Sequence, residues 1–399
     1  MTSAAQSRVA REEELAPVTI WKWEPLARWN WMLPPLIIAF GIRLAVFLMG
    51  DIGAKLILGN AFAGNFATWH RFDAGFYIKI AAYGYVTPDP VHREANFFPL
   101  FPMAMSFVGH LVALVYPHDP FNIGGIIVSW LSFAAACVVL YRLVRDRFDE
   151  ATALGSVLLL ATFPFGFYFG IAYSEALYVL VTLLAFLGIE RRNWALAAIG
   201  AMLAGACRPP GLIVGGCVVV AYGLDWWQSR HGWRRDVFWL LLTPAGTLAY
   251  LLFCWVALGN PLAYKVASQQ GWHASKLNAG NIQAAWHLFV GFSGPADYNV
   301  RLYRIYFLLV MLFLLAMVLV WRWLGPVYVL YSVPSIIAPV ITLPHPTSLG
   351  RYLSVVFPVF IVAAMLVSKH PPLRYALVLG CAVFLSLFAL MFAMHYPVY

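Results

Sequence analysis

Charge is what this sequence has least of. Only 11% of its 399 residues are Asp, Glu, Lys or Arg, against 62% hydrophobic and 16% aromatic. Soluble domains carry roughly 25% charged residues, and a chain this poor in charge cannot cover its own surface in water. Acid is the scarcer sign, 17 residues against 26 basic ones, for a net charge of +9. No basic helix and no aromatic-basic strand platform accompanies that excess, so no nucleic-acid partner is expected. Lys and Arg flanking apolar spans and touching the headgroups of membrane lipids account for it. Cysteine is sparse and odd in number: Cys137, Cys207, Cys217, Cys254 and Cys381. Without a CxxC or a metal-ligand spacing they exclude a complete disulfide framework and point to core packing. Residues Met1 to Arg28 lack the short apolar stretch and small-residue cleavage site of a signal peptide. The first span is therefore expected to stay as an uncleaved anchor.

What the sequence has is long apolar runs, of the roughly 20-residue length that crosses a hydrocarbon core. They predict an all-α, polytopic transmembrane protein of about eleven spans. These are Trp31–Met49, Phe121–Leu143, Ala153–Phe169, Glu175–Ile189, Trp194–Cys207, Gly211–Leu224, Val237–Leu258, Tyr303–Trp321, Val327–Leu343, Leu353–Val367 and Tyr375–Met394. The short pair around Arg208-Pro209-Pro210 reads as one broken helix or as a tight helical hairpin. A further run, Phe97–Tyr116, is long enough to span. If it lies on the outer surface, Arg142 to Arg147, Arg191-Arg192, Arg230 to Arg235, Arg322 and Lys369 to Arg374 all fall inside. The positive-inside rule favours that arrangement, and Pro99, Pro102 and Pro117 suit interfacial helices in the first external loop. The expected topology has the N-terminus cytoplasmic and the C-terminus outside. The chain is expected to form a single transmembrane domain over 1–399, with external loops at about 51–120 and 259–301.

Within the first of these loops, aromatic residues crowd around one carboxylate: Trp69-His70-Arg71-Phe72-Asp73-Ala74-Gly75-Phe76-Tyr77 and on to Tyr85. On spacing alone Asp73 could pair with Arg71, cap a short helix, or do chemistry at the membrane surface. The spans carry almost no ionisable residues, which argues against a polytopic transporter or lipid flippase, whose pathways usually need them. A catalytically silent partner subunit is a third reading, against which an acid in the external loop argues. A divalent metal between Asp73 and Glu94 or Asp89 lacks a clustered-acid signature, so no metal and no other cofactor is expected.

The run RFDAGFYIKIAAYGY followed by NFFPLFP resembles the PIG-V-like mannosyltransferases. Their pattern is close to RWD-x-x-WY-x-x-IA-x-x-GY and then FFPLYP. Further pieces are similar and come in the family's order over about 330 residues. They are Ser174-Glu175-Ala176-Leu177, Arg208-Pro209-Pro210-Gly211, Gly259-Asn260-Pro261-Leu262-Ala263 leading to Gln270 and Trp272, and Gly350-Arg351-Tyr352-Leu353 leading to Phe357-Pro358. Phe72, Gly75 and Phe76 depart from the pattern without touching the carboxylate. The resemblance implies the GT-C class of polytopic glycosyltransferases. It also implies a polyprenyl-phosphate-linked sugar donor, mannosyl in kind, used outside the cytoplasm, with a lipid-linked or glycan acceptor. Asp73 maps onto the family's catalytic acid.

The chemistry suits those residues. A phosphate leaves as a stable anion, so the paired acid and base of ordinary glycoside hydrolysis reduce to one base for the acceptor hydroxyl. Arginines stabilise the departing phosphate, and Arg208 and Arg351 are the candidates, with interfacial headgroup contacts as their plainer alternative. Glu175 is either a second acid touching sugar or acceptor hydroxyls or part of a helix N-terminus. His70, Arg71, Trp272, His273 and His345 complete the candidate substrate-binding set, against an aromatic-belt or interface reading.

Overall fold

In hydrocarbon a backbone must satisfy its own N–H and C=O groups, so an apolar chain of this composition has helices as its solution. The computed structural model describes residues 29–59, 65–85, 91–229, 235–271, 298–342, 348–396 and 398. Among these there are fifteen α-helices and no strand. The chain divides into a short unit, Met1–Pro34, and a large one, Pro35–Tyr399. Of the first, the described part is a 3-10 turn, Asn30–Met32, entering helix α1 (Leu33–Leu58). After α1 come α2 (Asp73–Tyr83), α3 (Leu100–Ala113), α4 (Pro120–Arg145), α5 (Glu150–Thr162), α6 (Glu175–Glu190), α7 (Trp194–Cys207) and α8 (Gly211–Ser229). The second half holds α9 (Ala245–Leu258), the single turn α10 (Ala263–Val266), α11 (Tyr298–Trp323), α12 (Pro326–Thr342), α13 (Leu349–Ser354), α14 (Phe357–Ser368) and α15 (Pro371–Ala393). Among the described residues, five stretches have the length and apolarity to cross a bilayer: Asn30–Leu58, Pro120–Arg145, Arg235–Leu258, Leu302–Trp323 and Pro371–Ala393. Several of the rest are shorter apolar helices.

Prolines explain where expected spans differ. The run expected as Ala153–Phe169 stops at Thr162, because Pro164 forces Phe163 out of the helical region, and resumes as a 3-10 turn, Gly166–Gly170. The run from Val237 breaks into a 3-10 segment, Arg235–Leu242, and α9 at Pro244. The run from Leu353 breaks before Phe357-Pro358 into α13 and α14. The Arg208-Pro209-Pro210 hairpin reading holds: α7 and α8 are separate helices in close contact.

The centre is built by α4, α5, α6, α7 and α14, with small residues where backbones meet. A Cβ on Gly124 would lie 2.7 Å from the Gly109 nitrogen across the α3–α4 crossing. One on Gly188 would lie 2.4 Å from the Ala197 nitrogen across α6–α7. Such crossings let helices approach where no hydrophobic drive exists between them. Cys137, Cys207, Cys217 and Cys254 are buried and unpaired, and Cys381 is half-buried, as packing residues would be.

Buried charge is sparse in the spans, and one case is structural. Arg43, midway along α1, is 2% exposed. Its two terminal nitrogens donate to the carbonyls of Ala161 and Gly166, and its guanidinium lies 4.9 Å over the Phe133 ring. The break at Pro164 leaves the carbonyls at the end of α5 without helical donors. Arg43 supplies them.

Charged turns gather at one end. Arg147 pairs with Glu190 at 3.0 Å and donates to the Trp323 and Leu324 carbonyls, Arg191 pairs with Asp146 at 2.7 Å, and Arg192 with Asp225 at 3.0 Å. Helix α6 begins at Glu175 and ends at Glu190 in this cluster. Its sixteen residues therefore separate the cluster from the Glu175 end by about 22 Å.

Candidate active site

Asp73 is the first residue of α2, where the free N–H groups and helix dipole favour a carboxylate. Phe72 before it has φ 49° and ψ −118°, a backbone region sparsely used by aromatic residues. Tyr85 donates to the Phe97 carbonyl at 2.6 Å, Lys79 pairs with Glu94 at 3.1 Å, and Phe76 stacks on Phe97 at 4.9 Å. These contacts tie α2 to the FFPLFP segment that opens α3. Tyr250 of α9 donates to the Ala95 carbonyl at 2.6 Å and packs against Phe98 with ring centres 4.4 Å apart, with Ala263 and Ala267 beside them. The start of the second expected external loop thus lies on the first.

Asp73 does not pair with Arg71. Its carboxylate is bonded by Arg351, 278 residues further along, and its side chain is 22% exposed. Arg351 sits in α13, with its Nε 3.3 Å from Glu175 Oε1. Glu175, the first residue of α6 and 1% exposed, is bonded by Arg208 as well. Arg208 projects inward because Pro209 forces it into an extended conformation (φ −155°, ψ 152°) between α7 and α8. Four residues chosen from separate motifs therefore form one chain of charges, Asp73–Arg351–Glu175–Arg208. Glu175 Oε2 and Arg351 Nε are buried without a hydrogen-bond partner.

Tyrosines surround the guanidiniums. The Arg351 carbon lies 5.4 Å from the Tyr173 and Tyr352 ring centres and 5.7 Å from Tyr168, while Arg208 lies 5.3 Å from Tyr352 and 5.9 Å from Tyr178. Such faces stabilise a cation in a dry site. Tyr77, one turn after Asp73, shares a 2.8 Å hydrogen bond with Ser174. Tyr173 donates to the Arg71 carbonyl at 3.1 Å. Tyr168, Tyr173 and Tyr178 were not expected from sequence. Their one signal there is a hydroxyl-bearing ring set in apolar runs beside Pro164, Gly170 and Ser174.

The other candidates are less central. His70 Nδ1 lies 3.9 Å from Asp119 Oδ2, and its ring sits beside Gly75 at the start of α2. The Arg71 guanidinium is half-buried in the loop, and burial holds it below its ordinary pKa. Burial and the Arg71 charge together lower the His395 imidazole. Trp272, His273 and His345 lie outside the described residues, as does Asp89. Among the described residues no three His, Cys, Asp or Glu side chains gather as a metal site requires.

A charged network with an acid at its rim thus sits among the helix ends of an all-α bundle, and comparison with solved structures agrees on the fold. The chain is similar to the Archaeoglobus fulgidus oligosaccharyltransferase tethered to an acceptor peptide, at 14% identity and a TM-score of 0.50. The alignment covers 92% of this chain and 55% of that one, so the chain spans little more than half its length. The same enzyme in complex with Zn and sulfate aligns at 15% identity and a TM-score of 0.49, over 92% and 53% of the two chains. None of the curated proteins matches. By sequence, residues 52–222, less than half of the chain, are similar to the family described as Mannosyltransferase (PIG-V). The resemblance is thereby borne out over RFDAGFYIKIAAYGY, NFFPLFP, Ser174–Leu177 and Arg208–Gly211, while its pieces from Gly259 and from Gly350 lie beyond the matched residues. The matched segment contains Asp73, Glu175 and Arg208; Arg351 lies beyond it.

Proposed function

We propose that this chain is an inverting, metal-independent mannosyltransferase acting as one transmembrane domain. It takes mannose from a polyprenyl phosphate and gives it to a lipid-linked or membrane-proximal glycan acceptor on the extracytoplasmic side. One observation carries the reading: Asp73, Glu175, Arg208 and Arg351 come from four family-like motifs and meet in a single network. In the step proposed, the acceptor oxygen attacks the anomeric carbon from the face opposite the phosphate. The carbon–oxygen bond to phosphate breaks with its electron pair on the phosphate oxygen, and the hydroxyl proton passes to Asp73. Arg351 and Arg208 hold the phosphate, for which the bidentate guanidinium fork is suited. Tyr173, Tyr352 and Tyr168 keep those guanidiniums in place and exclude water. His70, Arg71, Trp272, His273 and His345 are proposed to line the sugar and acceptor positions.

The basic cluster at the far end of α6 supports the sidedness, since short loops rich in Arg remain cytoplasmic. Asp73→Asn, isosteric and unable to accept the proton, is expected to lower transfer from a polyprenyl-phosphate mannose by about 10²–10⁴. Assayed in a preparation with unchanged thermal unfolding, near-normal transfer would remove Asp73 as the base.

A further inference from the structure

The donor reading meets a conflict within the site, because both guanidiniums a phosphate would need are already engaged. Arg351 bonds Asp73 and adjoins Glu175, and Arg208 bonds Glu175. Two carboxylates against two guanidiniums form a balanced set. A phosphate monoanion entering beside them must displace a carboxylate or remain an unpaired charge in a site shielded from water, and the latter is much the costlier. The two carboxylates differ in how they are held. Glu175 has a side chain 1% exposed and serves both arginines through one oxygen. Asp73 is 22% exposed, holds one ion pair, and follows the strained backbone of Phe72. Spare bonding capacity lies with Glu175: its Oε2 is buried without a hydrogen bond, and the Arg351 Nε, ion-paired with Oε1 at 3.3 Å, likewise makes no hydrogen bond. A two-point pairing of Arg351 with Glu175 is therefore within reach once Asp73 lets go.

We propose that Asp73 competes with the donor phosphate for Arg351, so that donor binding is the event that frees the carboxylate to act as base. This rests on the donor reading above and adds an order to it. In the empty site Arg351 holds Asp73 and no acceptor hydroxyl is activated. The arriving phosphate takes Arg351, Glu175 keeps both guanidiniums in register as a positioning residue, and Asp73 turns toward the acceptor. After transfer Asp73 carries the acceptor's proton and is neutral. Once it loses that proton to water, its return to Arg351 competes with the polyprenyl phosphate left behind and favours release.

The test is the binding of a sugar-free polyprenyl phosphate to the full chain in lipid nanodiscs, alongside mannose transfer by the same preparations. Asp73→Asn and Asp73→Ala each remove the competitor and are expected to bind the lipid phosphate about tenfold more tightly than wild type while losing transfer. A carboxylate that merely props up the fold predicts the opposite for Asp73. Equal or weaker binding by both Asp73 variants, with wild-type transfer intact, overturns the gate and leaves the transferase reading standing. A wild-type protein that neither binds the lipid phosphate nor transfers mannose overturns both.

Discussion

Arg43 and Arg351 are both buried guanidiniums, yet their surroundings assign them different work. Arg351 faces two carboxylates and three tyrosine rings; Arg43 faces two backbone carbonyls and a phenyl ring. Hydrogen bonds to backbone at a proline break satisfy acceptors that would otherwise be stranded in a dry interior, at roughly 1–3 kcal/mol each. Arg43→Met is thus expected to lower stability by about 2–6 kcal/mol while the folded fraction keeps its KM for donor. Thermal unfolding in detergent, paired with initial rates, checks both halves of that expectation. From sequence, Arg43 was a lone charge in an apolar run with nothing nearby to say why. Its partners lie 118 and 123 residues away, beyond the reach of any local pattern.

At the scale of elements, prolines shape the site by stopping helices. Pro209 sets Arg208 in an extended conformation, Pro164 opens the turn that carries Tyr168, and Pro358 starts α14 just after α13 has presented Arg351. Helix α13 is held by a close approach. A Cβ on Gly350 would stand 2.5 Å from the Phe165 ring, and that ring is fully buried against Tyr306 and Phe388. Gly350→Ala must therefore displace α13 and draw Arg351 away from Asp73 and Glu175. Overpacking of this kind costs about 1–3 kcal/mol, and transfer is expected to fall by more than the loss of folded protein explains. Restoration by Phe165→Leu in the same chain, read in the transfer assay, would locate the cause at that contact.

For the whole molecule, the arrangement has two ends: the Asp73 network at one and the Arg147–Glu190, Arg191–Asp146 and Arg192–Asp225 pairs at the other. If the basic end is cytoplasmic, a cysteine at Val115, 88% exposed beyond α3, should react with an impermeant maleimide on intact cells. A cysteine at Arg192, within the basic end, should react only after permeabilisation. Four of the native cysteines are buried, which keeps the background low. The reverse labelling pattern would put the network in the cytosol and end the extracytoplasmic proposal.

Composition and order along the chain determined much of this protein. Unbroken apolar runs of about 20 residues, in a chain only 11% charged, read as membrane helices, since only internally bonded backbone survives in hydrocarbon. The motifs around Asp73, Glu175, Arg208 and Arg351 were legible because each is a short local string. Tertiary structure alone decided that these four side chains touch, that Asp73 takes Arg351 rather than its neighbour Arg71, and that one buried carboxylate serves two arginines. Ion pairing depends on which helix ends meet in space. Helical periodicity reports which residues share a face, and is silent about which turn of the chain will stand opposite.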